Sequence, residues 1–249
     1  KVEKSVKFPT PATTDHYVAQ LRSVISTSFA GHDVSCVVVA IPGVIKNGVA
    51  LWCANLGWRD FNVADALKGL YGDAPIIVEN DANLAGLAAA HSLHPMPVSV
   101  LYATISTGIG SGIITNGKID PGLRLSEIGH TPIEYDGRIQ EWEKFASGRA
   151  IHEIYSKFAA DITSHAVWKQ IADRISRGFL AIIPTLQPDV IVIGGSIGTY
   201  FGRYAPELES LLIEHLPAHI PCPRLVQAAH PEQAVIYGGY YYARDLATQ

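Results

Sequence analysis

Cysteine is scarce in this sequence. The three cysteines, Cys36, Cys53 and Cys222, are scattered and odd in number, which argues against a disulfide frame and fits a reducing cytoplasm. Charge is sparse as well. Only 17% of residues are charged, the formal net charge is −4, and there is no basic run, so a nucleic-acid footprint is not expected. No apolar stretch reaches the length of a membrane span. The opening "KVEKSVKFPTPATT" carries charge but no apolar core, so it does not read as a signal peptide. With these classes set aside, 249 residues that are 48% apolar describe a globular protein, large enough for one big domain or two small ones. The expected location is the cytoplasm.

The pattern along the chain alternates strand and helix. "KVEKSVKFP" reads as an edge-like strand, and "TTDHYVAQLRSVISTSFA" as a helix capped by Thr14 or Asp15. "VSCVVVAIP" and "APIIVEN" are continuous apolar runs, as in strands buried on both faces. "DFNVADALKGLYG" predicts a short helix ended by Gly72, and "DANLAGLAAAHSLH" the next helix. The two prolines of "HPMP" suggest a linker. Then "VSVLYATI" and "GIITNGKI" predict strands, with Asn116-Gly117 as a hairpin turn. "AVWKQIADRISRGFLAII", "YAPELESLLIEHL" and "EQAVIYGGYYYARDL" predict helices, and "PDVIVIGG" a buried strand. The two α/β halves predict two lobes with a cleft between them: residues 1–97 as the small lobe and 98–249 as the larger one, with the last helix returning toward the small lobe.

Five stretches carry chemistry. In "VENDANLAGLAAA" the polar residues Glu79, Asn80 and Asp81 stand where a buried strand meets a helix. Asn80 and Asp81 read either as helix caps or as ligand-facing groups at a strand tip. "STGIGSG" (106–112) offers closely approachable backbone N–H groups and the Thr107 hydroxyl. No helix follows it and no Gly-Lys-Ser/Thr is present, so neither a dinucleotide fingerprint nor a P-loop fits. A phosphate-gripping turn and a plain tight turn both remain. "VIVIGGSIG" places Gly194 and Gly195 between a strand and a helix, where a ring or a ribose can lie on the backbone or where the corner is merely structural. "SEIGH" sets Glu127 and His130 in a polar loop, and "QEWEKFASG" adds Glu141 and Glu143. Carboxylate and imidazole groups grip vicinal hydroxyls, although a solvated loop explains the same residues and is the preferred reading for Glu141. Metal-ligand spacing is poor there.

Together, "PGVIKNG", "NLGW", "VENDANLAGLAAA", "STGIGSGIITNGKI", "EIGHTPI", "FASGRAI" and "PDVIVIGG" resemble, in order, the ROK family of glucokinases, fructokinases, N-acetylhexosamine kinases and sugar-responsive repressors. The resemblance runs from about residue 8 to near the C-terminus. It implies a two-lobed α/β fold of the actin-like ATPase (ribonuclease H-like) class with a ligand cleft. It implies ATP-dependent phosphorylation of a hexose hydroxyl, glucokinase-like, with ATP and Mg²⁺. By the same resemblance Asp81 is the general base, and Gly43, Asn80, Asp81, Glu127, His130 and Glu143 bind sugar. Thr107, Gly108, Gly110, Gly194 and Gly195 bind nucleotide. The helix start is expected to favour an ionised Asp81.

Two departures stand out. The family's cysteine-rich zinc loop after "GH" is replaced by "TPIEYDGRIQEWE", so no structural zinc is expected, and Glu134 or Asp136 is the candidate to orient His130. The family's opening D-x-G-G-T strand is also missing. That leads to the expectation of roughly 20–30 further N-terminal residues or a partner chain that fills the gap, and of weak ATP binding without them. The alternative function is a non-catalytic sugar-binding protein of the same fold. Glycosidase chemistry through Glu127 and Glu143 is disfavoured by the glycine turn, and a DNA-binding repressor, which needs a helix-turn-helix module, is not expected. The expected partners are a hexose or N-acetylhexosamine, with no nucleic acid and no membrane, and a homodimer left open.

Overall fold

The computed structural model of the chain describes residues 2–229 and 233–247. It divides into two compact units, Lys1–Asp81 with Ala243–Gln249, and Ala82–Tyr242.

In the first unit, helix α1 (Thr14–Ser28) is capped by Thr13, whose hydroxyl oxygen accepts the His16 N–H at 3.4 Å. Strand β1 (Val37–Ile41) is followed by an antiparallel meander of β2 (Val44–Lys46), β3 (Val49–Cys53) and β4 (Trp58–Asn62). Helix α2 (Val63–Ala66) is capped by Asn62, which accepts from Asp65 N at 3.1 Å. Strand β5 (Ile76–Asn80) then pairs in parallel with β1, from Val37↔Ile76 to Ile41↔Asn80. Their β-branched runs supply Val39, Ile41 and Val78 to a core that also holds Ile45, Trp58 and Leu67. Onto it α1 lays Tyr17, Val18 and Leu21.

Two expectations change here. The helix over "DFNVADALKGLYG" shrinks to a single turn, because Trp58–Asn62 is drawn into the meander. Residues 2–9 form no strand. Alternation alone cannot satisfy a strand's backbone groups without a neighbour, and the expected strand began at Lys1, which lies outside the described residues.

Helix α3 (Asp81–Ser92) follows β5 directly. Residues Ala82 to Ala90 are all buried, which explains why the helix is apolar on every side. Its small residues permit close packing: a Cβ on Gly86 would meet Tyr102 at 3.1 Å, and one on Gly112 would meet the Ala82 carbonyl at 2.5 Å. The central sheet of the second unit has the order β12-β11-β6-β7-β8. It contains β6 (Ser99–Ile105), β7 (Ile109–Thr115) and β8 (Lys118–Ile119), with Asn116-Gly117 turning the β7–β8 hairpin as predicted. A second hairpin, β9 (Pro132–Tyr135) and β10 (Arg138–Glu141), leads into α4 (Glu143–Ala146) and α5 (Gly148–Tyr155). The long α6 (His165–Leu186) buries Trp168, Ile171, Ile175 and Phe179. Strand β11 (Val190–Gly194) lies parallel to β6 and leads into α7 (Gly195–Gly198) and α8 (Ala205–His215). Strand β12 (Arg224–Gln227) edges the sheet, and α9 (Ala234–Ala247) closes the chain. The closing helix was expected from Glu232, which lies outside the described residues. No helix among the described residues is long and apolar enough to cross a membrane.

Candidate functional site

In the first unit the polar residues collect where β1 and β5 end. Gly43 sits just beyond β1 at φ +117, a backbone conformation that L side chains rarely adopt, and a Cβ there would strike the Trp52 carbonyl. This lets the Gly43 carbonyl accept the Asn80 side-chain amide at 2.8 Å. Asn80 therefore crosslinks the two strand ends, and its N–H donates to Glu79 Oε1 at 2.9 Å. Glu79 is 1% exposed, a buried carboxylate that follows the apolar run 76–78 of β5. Asp81 is the first residue of α3. Cys53, fully buried at the end of β3, has its thiol pushed up to about 11 by burial first and by the Asp81 charge second. Cys53 as a neighbour of Asp81 could not be read from sequence, because nothing in the chain pattern links residue 53 to residue 81.

In the second unit the glycine turn is the three-residue connection Ser106-Thr107-Gly108 between β6 and β7. Ser106 N–H donates to the Gly108 carbonyl at 2.9 Å, and Ser106's own carbonyl accepts Gly148 N–H at 2.6 Å, so the turn rests on the start of α5. Thr107 stands exposed at its tip. Gly110 lies inside β7 opposite Thr104, beyond the turn. Gly194 ends β11, also against Thr104, and Gly195 begins α7 at φ +78. A Cβ on Gly195 would meet the Ile105 carbonyl at 2.5 Å, and one on Gly148 would meet Ser196 Oγ at 3.4 Å. Thr107, Gly108, Gly148 and Gly195 thus gather around the carboxyl ends of β6 and β11, where open α/β sheets hold ligands.

"EIGH" forms a 3-10 turn over Ile128–His130. It is pinned to β7 at two points: Ser111 Oγ donates to the Ser126 carbonyl at 3.1 Å, and Gly129 lies so close to the Ile109 carbonyl that no side chain fits. The turn presents Glu127 and His130. Glu143 comes to the same place from α4. Its Oε2 accepts the Ile109 N–H at 3.2 Å and lies 2.6 Å from where a Gly108 Cβ would be, so Glu143 touches the glycine turn itself. His130, Glu141 and Glu143 present ligating atoms all within 4.8 Å of one another.

The polar loop expected after His130 is in fact the β9–β10 hairpin, with Asp136-Gly137 at its tip at φ 53 and 71. The register Pro132↔Glu141 returns the chain to His130, and the carboxylate facing His130 Nδ1, at 3.4 Å, is Glu141. Glu134 and Asp136 make no ion pair among the described residues. The D-G dipeptide was the signal that would have revealed this hairpin. No cysteine occurs from His130 to Glu143, so a cysteine-liganded zinc does not fit the residues around His130.

A model of the ROK family matches residues 1–245. A polyphosphate glucokinase of Mycobacterium leprae is 32% identical over 176 residues, 69% of this chain. The match spans about half, 49%, of that protein's length. An N-acetylmannosamine kinase of Haemophilus influenzae is 31% identical over 235 residues, 84% of this chain and 77% of its own. A ROK glucokinase of Streptomyces griseus, solved with glucose and AMPPNP, superposes with TM-score 0.78 at 21% identity, over 95% of this chain and 90% of its own. That likeness shows the fold, the actin-like ATPase fold of ROK sugar kinases.

Proposed function

The chain belongs to the ROK family, and on that premise we propose that it transfers the γ-phosphoryl group of ATP to a hydroxyl of a hexose or N-acetylhexosamine. The observation that carries the reading is Glu143. One carboxylate bonds the Ile109 N–H at the end of the glycine turn and stands beside His130, so the groups assigned to phosphate and to sugar are joined through a single side chain.

Phosphoryl transfer asks a protein for positioning and charge neutralisation more than for covalent chemistry. Glu127, His130 and Glu143 would grip the sugar hydroxyls, and by the family resemblance Gly43 and Asn80 also belong to the sugar-binding set. Thr107, Gly108 and Gly110 would take the phosphates, and Gly194 and Gly195 the adenosine. Mg²⁺ would accompany ATP as its counter-ion. Asp81 accepts the proton of the attacking hydroxyl as the new O–P bond forms and ADP departs with the old bridging oxygen. Its place at the first position of a helix whose residues Ala82 to Ala90 are buried suits that task, because packing fixes the start of the helix that carries it.

The test is a coupled ADP-release assay with MgATP across glucose, fructose, mannose, N-acetylglucosamine and N-acetylmannosamine, alongside sugar binding by calorimetry. Sugar-dependent ADP release identifies the substrate. Sugar binding without turnover in the chain would replace this reading with that of a sugar-binding protein.

A further inference from the structure

We propose that Glu141 is a positioning residue, whose carboxylate holds the Nδ1 edge of His130 and thereby presents Nε2 to the sugar. The proposal rests on the sugar-kinase reading for what Nε2 meets, but not for the contact itself. Glu141 Oε2 lies 3.4 Å from His130 Nδ1, and no other partner of that ring is found among the described residues. The carboxylate is well placed to stay there. Its own residue ends β10 opposite Pro132, and the next residue, Trp142, is an anchor. Trp142 is fully buried, its backbone N–H donates to the Thr131 carbonyl at 3.0 Å, and its indole N–H donates to the Arg174 carbonyl at 3.2 Å. A Cβ on Gly178 would overlap the Trp142 ring, so the indole fills its slot completely. Residues 130 and 141 are therefore brought together by the adjoining bond between Thr131 and Trp142 and the pairing of Pro132 with Glu141.

The charges agree. Lys144 Nζ stands 3.8 Å from Glu141 Oε2 and 3.8 Å from Glu143 Oε1. This ammonium offsets part of the charge that the two carboxylates bring beside the imidazole. A carboxylate beside Nδ1 selects the neutral tautomer with its proton on that nitrogen. Nε2 then carries a lone pair and can accept a sugar O–H. An unsupported imidazole favours the opposite tautomer and rotates about its side-chain torsions, so it would grip a hydroxyl poorly.

The ring can be read directly by long-range ¹H–¹⁵N correlation NMR of the chain near pH 8, with the His130 signals identified by their loss in His130→Gln. The expected result is a proton on Nδ1 in the wild type, a shift to the Nε2–H form in Glu141→Ala, and partial retention in Glu141→Gln, whose amide oxygen still accepts. This readout needs no turnover, so it stands or falls separately from the kinase reading. In the assay, Glu141→Ala should raise the sugar KM by about tenfold with kcat little changed, and add nothing further in a His130→Ala background. A wild-type ring already in the Nε2–H form, or one unchanged by Glu141→Ala, overturns the proposal. So does a wild-type ring whose signals show it ligated to a metal that a chelator removes.

Discussion

The side-chain amide of Asn80 donates to the Gly43 carbonyl at 2.8 Å, joining the residue before the candidate base to the turn after β1. The bond exists because Gly43 holds φ +117, where any side chain would be strained and would collide with the backbone of Trp52. Gly43→Ala should therefore destabilise the chain by about 2 kcal/mol or more. Urea unfolding measures this, and a change within about 0.5 kcal/mol would mean that the turn relaxes freely.

The central strands and the helices that bracket the candidate site were legible in the sequence. Continuous apolar runs declared β1, β5, β6 and β11, and an alanine-rich run declared α3. What was missed had a local signal that went unread. Asn47-Gly48 and Asp136-Gly137 adopt the same positive-φ pair as Asn116-Gly117, and each turns a hairpin. Side-chain periodicity alone makes the β2–β4 meander and the β9–β10 hairpin look like helix or loop, and the turn dipeptides are what mark them. Glu141 was lost for the same reason. It reads as a solvated glutamate until the register with Pro132 brings it back to His130. Other features were not legible at all. The burial of Glu79 and the proximity of Cys53 to Asp81 arise from how separate elements meet.

Asp81→Asn should lower kcat by about 10²–10⁴-fold while sugar affinity stays within about tenfold. The amide keeps the shape and can still hydrogen-bond, but it cannot take the proton. Steady-state kinetics with sugar binding by calorimetry separates the two effects. Turnover above about a tenth of the wild type would reduce Asp81 to a helix-start residue.

Glu143 and Glu127 should fail differently. Because Glu143 Oε2 holds the Ile109 N–H of the glycine turn, Glu143→Ala releases that turn and should raise KM for both ATP and sugar. It also leaves the donor of a 3% exposed residue without its acceptor, a loss of about 1–3 kcal/mol in stability. Glu127→Ala, on the 3-10 turn, should raise the sugar KM with ATP KM within about threefold. Initial-rate kinetics with each substrate varied in turn decides between them, and equal effects of the two variants on ATP would remove Glu143 from its bridging role.

Cys53 makes the chain sensitive to alkali in a defined window. Its thiol is fully buried and raised from an ordinary value of 9.0 to about 11, by burial first and the Asp81 carboxylate second. Above pH 9 the unfolded chain releases this proton and the folded chain keeps it, so the unfolded state binds fewer protons and stability falls as pH rises. The contribution is complete below pH 9 and is lost by about pH 11. The rise from 9.0 to about 11 corresponds to about 2–3 kcal/mol, a large share of a typical total of about 5–15 kcal/mol. Other groups titrate in the same range, and the comparison that isolates Cys53 is wild type against Cys53→Ala by urea unfolding at two pH values. The alanine variant should be the less stable at pH 8, because it leaves a small cavity. The gap should then narrow by about 2 kcal/mol on going to pH 10.5, since the variant has no thiol to titrate. Parallel stability profiles for the two proteins would mean that Cys53 ionises alike in the folded and unfolded chains, and that Asp81 does not act on it.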